Sequence, residues 1–137
     1  MTLGLIILAA GKVTRIRIFL ASTPKTLAPI RKKVFLEWMI NWIESWKIIE
    51  KQEIIASTGI GHQYVEKYIK ENCINIKCVK ERRPLGTFGA IAQVAASTNL
   101  EEYLILNGDT IFEIDMNKAY INFKKNINSA YLILKES

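Results

Sequence analysis

The chain has 137 residues, half of them hydrophobic and 23% charged, with a formal net charge of +6. That length suits one domain (residues 1–137) around one core, and the composition excludes a disordered chain. No apolar run approaches the roughly 20 residues that span a bilayer, so no membrane partner is expected. The charge is uneven: Lys12, Arg15, Arg17, Lys25, Arg31, Lys32 and Lys33 all precede the first acidic residue, Glu37. This favours an anionic partner near the N-terminal end. The two cysteines, Cys73 and Cys78, stand five apart beside one histidine, His62. That lacks the paired spacing of a zinc site. Free thiols and no signal peptide suit a cytoplasmic protein.

Leu3–Leu8 is an apolar run of six followed by the small residues Ala9 and Ala10, the pattern of a buried parallel strand. It opens into a loop with Gly11 and Thr14 and two cations ten residues apart, Arg15 and Lys25. Phe35 to Trp46 reads as a helix, with Phe35, Met39, Trp42, Ile43 and Trp46 on one apolar face. That spacing makes the tryptophans core residues and not a stacking box. Glu53–Ser57 reads as a second strand, Thr58–Gly61 as a turn, and His62–Asn72 as a helix burying Tyr64, Val65, Tyr68 and Ile69. His62, at the helix start, reads as a surface or capping residue and not a base. Ile74–Val79 alternates as an edge strand, with Cys78 a small core residue. Glu81 to Ala90 reads as a loop and Ile91–Ala96 as a helix behind it. Tyr103–Leu106 is a buried strand that runs into Asn107-Gly108-Asp109-Thr110. Asp115 is placed to cap a helix from Met116 to about Lys125, and Ser129–Leu134 closes as a last strand.

Strands alternating with helices indicate an α/β fold, a Rossmann-like three-layer α/β/α arrangement on a mostly parallel sheet. Ligands bind such sheets beyond the carboxyl ends of the strands. Three loops fall there: Ala9–Lys25, Glu81–Gly89 and Asn107–Thr110. The first offers backbone donors, the planar fork of Arg15 and the point charge of Lys25, a set suited to phosphate. The third offers one carboxylate, Asp109, directly after a buried strand. Facing phosphates, such a carboxylate can bring in Mg²⁺, which fills its shell with water and substrate oxygens. The second offers Gly86, where a flat base can approach the backbone, and Glu81, which can accept from a base or ribose donor. With no Ser-His or Cys-His pair, these groups point to phosphoryl or nucleotidyl transfer by positioning and charge neutralisation.

Leu8-Ala9-Ala10-Gly11-Lys12-Val13-Thr14-Arg15, then Pro24-Lys25 and Leu27-Ala28-Pro29, resembles the signature of the sugar-1-phosphate nucleotidyltransferases. Phe35-Leu36-Glu37-Trp38, Pro84-Leu85-Gly86-Thr87 with Gly89-Ala90-Ile91, and Leu106-Asn107-Gly108-Asp109-Thr110 continue it in order over essentially the whole chain. Within that family the chain is most similar to the short D-glycero-α-D-manno-heptose 1-phosphate guanylyltransferases. The resemblance implies the nucleotide-diphospho-sugar transferase fold, incomplete at the C-terminus. It also implies a reaction between an NTP, GTP favoured, and a sugar 1-phosphate, giving an NDP-sugar and pyrophosphate. Such a product serves surface-polysaccharide synthesis. On this mapping Arg15 and Lys25 are catalytic, and Asp109 holds Mg²⁺. Ala9, Ala10, Gly11, Thr14, Glu81, Gly86 and Thr87 bind the nucleotide, and Asn107 and Gly108 face the second substrate.

The pattern is broken where Ala10, Val13, Lys32 and Phe88 replace small residues, mostly glycine, and Val34 replaces proline. A β-branched Val13 at positive φ would be strained by about 1–3 kcal/mol. Phe88 sets a large ring where a small residue lets the base approach. Family members also continue past Ser137, into sugar-binding strands and a second metal-binding aspartate. The 137-residue chain is therefore expected to keep the nucleotide half and to turn over weakly or not at all by itself. An exposed edge strand makes homo-oligomers an expectation too. The competing reading is a module that binds a nucleotide or sugar nucleotide without catalysis. Nucleic-acid binding fits poorly, because the aromatics lie on core faces and no groove-reading motif is present.

Overall fold

The computed structural model describes residues 3–10, 25–47, 51–111 and 113–125. In chain order these form β1 (Leu3–Leu8), a 3₁₀ turn (Lys25–Leu27), β2 (Pro29–Ile30), β3 (Lys33–Val34) and α1 (Phe35–Glu44). Then come β4 (Lys51–Thr58), α2 (His62–Glu71), β5 (Lys77–Lys80), α3 (Gly86–Ala96), β6 (Glu102–Asn107) and α4 (Met116–Lys125). The expected strand Ser129–Leu134 lies outside the described residues.

Four strands form the main sheet in the order β5-β4-β1-β6, and every neighbouring pair is parallel. β1 is central. Leu3, Leu5, Ile6 and Ile7 are buried on its two faces, which is why it reads as a continuous apolar run instead of an alternating one. One face carries Leu5, Ile7, Ala56 and Leu106 against Leu36, Met39 and Ile43 of α1, Val65 and Ile69 of α2, and Met116 of α4. The other carries Ile6 and Ile55 against Val94 of α3. The direction of travel explains the layers. From β1 to β4 to β5 the chain moves one way across the sheet, then returns past β1 to reach β6. A right-handed crossover in the opposite direction sends α3 to the opposite face. The order reverses at β1, so the crevice for a ligand lies between the carboxyl ends of β1 and β6.

Three expectations are corrected. α3 begins at Gly86, five residues earlier than Ile91: Gly86 to Ala90 are helical, because Leu85 and the small Gly89 and Ala90 pack as a first turn. An added Cβ on Gly89 would stand 2.8 Å from Leu85 Cβ. Tyr64 is exposed, because α2 turns only Val65 and Ile69 fully into the core. Leu36, absent from the expected face of α1, is fully buried there. A two-stranded hairpin, β2 with β3, was not anticipated. Its turn places Arg31, not Lys32, at positive φ (59°), and Lys33 lies over the Trp38 ring at 5.1 Å. Val34 takes φ −73°, the value proline would impose. Asp115 caps α4 as expected: its carboxylate accepts from the Lys118 amide at 3.1 Å.

Tyr68 of α2 donates a hydrogen bond to the Glu37 carboxylate of α1. Burial, and then that carboxylate, push the Tyr68 phenol up to about 12. Cys78 on β5 is half-buried, and burial followed by the nearby Glu66 charge pushes its thiol up to about 11. No helix among the described residues is long and apolar enough to cross a membrane.

Candidate functional site

The site is a row of strand ends. At the centre β1 stops at Leu8, and the Ala9 amide donates to Ser57 O at 2.8 Å, tying the loop entrance to β4. On the other side the Gly108 amide donates to Leu8 O at 2.9 Å, tying the β6 turn to β1. Gly108 is there for space. A Cβ on it would stand 2.5 Å from Leu8 O and 3.1 Å from Ala9 Cα, closer than backbone atoms tolerate. The turn at Gly108 is thereby pressed onto Leu8 and Ala9, at the crevice the strand order creates.

Ala10, one of the positions where the sequence departs from a glycine pattern, is accommodated across from Gly59. A Cβ on Gly59 would meet the Ala10 methyl at 3.2 Å. The extra methyl at residue 10 thus has room because residue 59 has none. The strand-then-glycine step at Thr58-Gly59 was visible in the sequence, but nothing local said that it faces residue 10.

Further along the row, the Glu81 amide donates to Thr58 O at 2.7 Å. Glu81 is 91% buried, although it follows an edge strand between Lys80 and Arg82. Gly86 begins α3 at φ +72°, and nothing lies within 4 Å of where its side chain would be. The glycine therefore serves backbone conformation and leaves open approach, not packing. Thr87 beside it is exposed. Phe88 is 88% exposed: the ring that replaces a small residue projects from the first turn of α3 and fills no core space.

Ala9, Ala10, Glu81, Gly86, Thr87, Asn107, Gly108 and Asp109 thus all stand at the carboxyl end of one parallel sheet. The segments after β6 and β5 are the outer members of the row β6-β1-β4-β5. Three strand spacings separate them, about 14 Å. Gly11, Thr14 and Arg15 lie outside the described residues. Lys25 opens the 3₁₀ turn, and its backbone alone is described.

Asp109 is exposed and accepts from the Thr110 hydroxyl at 3.0 Å. Among the described residues no group of three or more His, Cys, Asp or Glu could hold a metal. Asp109 offers a hard cation one carboxylate, with the rest of its shell left to water and phosphate oxygens.

His62 is where sequence reading missed most. The N-cap of α2 is Gly61, so His62 is not a capping residue. Its Nδ1 lies 2.6 Å from Thr58 Oγ1 and its Nε2 2.7 Å from Glu66 Oε2. The spacing His62-x-x-x-Glu66 on one helix face was legible; the third member, Thr58, lies on the preceding strand.

A family model for nucleotidyl transferases matches residues 5–136. The chain is 35% identical over 136 residues to D-glycero-α-D-manno-heptose 1-phosphate guanylyltransferase of Aneurinibacillus thermoaerophilus, covering 96% of this chain and 58% of that protein. The protein of the same name from Campylobacter jejuni is 35% identical over 122 residues, covering 88% and 53%. The crystal structure of HddC from Yersinia pseudotuberculosis complexed with GMP-PN superposes with a TM-score of 0.74 at 30% identity, covering 87% of this chain and 53% of that one. The chain spans about half the length of the relatives it matches. The parallel α/β fold is that of the nucleotide-diphospho-sugar transferases.

Proposed function

Because the chain belongs to the nucleotidyl transferase family, we propose that it carries the nucleotide-binding half of a sugar-1-phosphate guanylyltransferase. In the proposed reaction a phosphate oxygen of the sugar 1-phosphate attacks the α-phosphorus of GTP. The bond to the β-phosphate breaks, and pyrophosphate leaves as GDP-sugar forms. Arg15 would steady the charge gathering on the leaving pyrophosphate, and Lys25 the phosphates at the reacting centre. Gly11 and Thr14, ahead of Arg15 in the chain, would bind the nucleotide, and Ala9 and Ala10 would form the floor on which it lies. Asn107 and Gly108 face the second substrate. Asp109 would hold Mg²⁺, which when bound neutralises phosphate charge.

The observation that carries this reading is the row of strand ends. Glu81 and Asp109 follow its two outermost strands, and the small residues Ala9 and Ala10 lie between them. A base, a ribose and an α-phosphate laid end to end would fill that span. Guanine suits the Glu81 end: its Watson–Crick edge presents two adjacent donors, N1–H and N2–H, and a carboxylate presents two acceptors. Gly86 and the exposed Thr87 follow on the same segment and leave room for the flat ring. The names of the two similar guanylyltransferases support the same base and a heptose 1-phosphate as acceptor. A place in surface-polysaccharide synthesis follows from that product class, and free thiols support work in the cytoplasm, beside the nucleotide pool.

A coupled pyrophosphate-release assay tests the proposal, with each NTP in turn, Mg²⁺, and a panel of sugar 1-phosphates including the heptose 1-phosphate. GTP-dependent release is expected to exceed that with other nucleotides by at least about tenfold, the worth of one good hydrogen-bonded pair. The chain's coverage of about half of its relatives favours a second reading, a module that binds without transfer. GTP binding with no pyrophosphate from any acceptor would decide for it. Turnover with pyrimidine nucleotides alone would sink the guanylyl reading.

A further inference from the structure

The carboxyl end of β4 carries a hydrogen-bonded chain that the reaction above does not use. Glu66 on α2 can only accept while ionised, so His62 Nε2, 2.7 Å away, carries a proton. On its other side His62 Nδ1 lies 2.6 Å from the Thr58 hydroxyl. Glu66 orients the imidazole, the imidazole faces the Thr58 hydroxyl, and Lys70 stands 3.7 Å from the other Glu66 oxygen. Thr58 is 1% exposed, so its hydroxyl is no nucleophile for an outside substrate. Thr58 meets the end of β5 twice: its hydroxyl donates to Val79 O at 3.4 Å, and its carbonyl accepts from the Glu81 amide at 2.7 Å.

We infer that His62 is a positioning residue for the base pocket: with Glu66 behind it, it holds Thr58 so that the Thr58 carbonyl fixes Glu81 where a guanine edge would meet it. The inference rests on the guanylyl reading for its nucleotide half only. The geometry has a specific logic. Glu81 leaves an edge strand with no further strand beyond it among the described residues, so the loop from Glu81 to Leu85 is anchored through Thr58. The imidazole and Val79 O are the two partners of Thr58 Oγ1.

The test uses the full 137-residue chain and reads two quantities, amide hydrogen exchange at Glu81 by NMR and the affinities for GTP and for pyrophosphate with Mg²⁺ by calorimetry. His62→Ala is expected to speed Glu81 exchange at least tenfold, and to weaken GTP five- to twentyfold while pyrophosphate binding stays within twofold. Glu66→Ala should follow it. Glu66→Gln, whose amide oxygen still accepts from Nε2–H, should stay near wild type. Unchanged Glu81 exchange in His62→Ala overturns the inference alone. So does faster exchange spread evenly over the whole sheet, the mark of a merely structural role, and so does local loosening with unchanged GTP affinity. A wild-type chain that binds no GTP overturns the proposed function and the nucleotide half of the inference together. Lys67→Ala, at an exposed position of α2, serves as the folded control and should match wild type in both readings.

Discussion

Gly108 shows how a single residue decides whether the site exists. Its missing side chain lets the end of β6 lie directly on the end of β1, with Leu8 O as both steric limit and hydrogen-bond acceptor. Gly108→Ala forces a methyl to within 2.5 Å of that oxygen, and backbone has to shift to relieve it. The expected cost is about 1–3 kcal/mol, the usual range for overpacking a closed space, read as a lowered urea midpoint at unchanged slope. The shift also moves Asp109 away from Ala9, so the mutant should lose GTP·Mg²⁺ affinity beyond what its stability loss explains. A fully stable mutant with wild-type affinity would show that the two strand ends are not pressed together in solution. Gly86 behaves differently: its demand is for positive φ, not for room.

At the scale of elements, α1 and α2 are joined over the sheet by Val65 and Ile69 packing beside Met39 and Ile43 and by Tyr68 donating to Glu37. The phenol, raised from 10.0 to about 12, carries a pH signature. A raised value means the folded state holds its proton more tightly than the unfolded state does. The stabilisation is complete below about pH 10 and is lost as pH rises through about 12. Cys78 on β5, raised from 9.0 to about 11, adds a loss of the same sign beginning about one unit lower. Stability measured by urea should therefore fall steadily above pH 9. Tyr68→Phe should cost about 1.5–3 kcal/mol at pH 8, the worth of a hydrogen bond to a charged group. It should also remove the part of the alkaline loss between pH 10 and 12. A mutant with an alkaline profile parallel to wild type would show that Tyr68 is not the titrating group.

For the whole molecule, the proposed site couples the strand ends, so its occupancy should register in global stability. At GTP·Mg²⁺ near 100 times its dissociation constant the folded state gains about 2.7 kcal/mol. Adding a chelator, or replacing Asp109 by Asn, is expected to remove most of the resulting rise in melting temperature while leaving the unliganded melting temperature within a degree or two. An equal rise with and without the divalent ion would take Asp109 out of the metal role.

Much of this was legible in the chain itself, and the reasons are local. Leu3–Leu8 is a buried strand because only an element covered on both faces tolerates six residues without a polar one. Asp115 caps α4 because a short carboxylate before a helical run reaches the first free amides. Asp109 at a strand end, and the order of the three loops, pointed to nucleotidyl chemistry before any contact was known. What local pattern could not carry is which strand end meets which. The β5-β4-β1-β6 order brings Gly59 against Ala10 and Gly108 against Leu8, and so explains why the loop entrance closes without its first glycine. It also places His62, read from sequence as a surface or capping residue, between Thr58 and Glu66. The start of α3 at Gly86 and the outward turn of Tyr64 depended likewise on what packed beside them. Sequence by itself determined the elements, their class and the chemical groups on offer, because periodicity and capping act over a few residues. Tertiary structure alone decided how those groups are brought together, because the packing of distant strand ends is a property of sheet order, which no single segment contains.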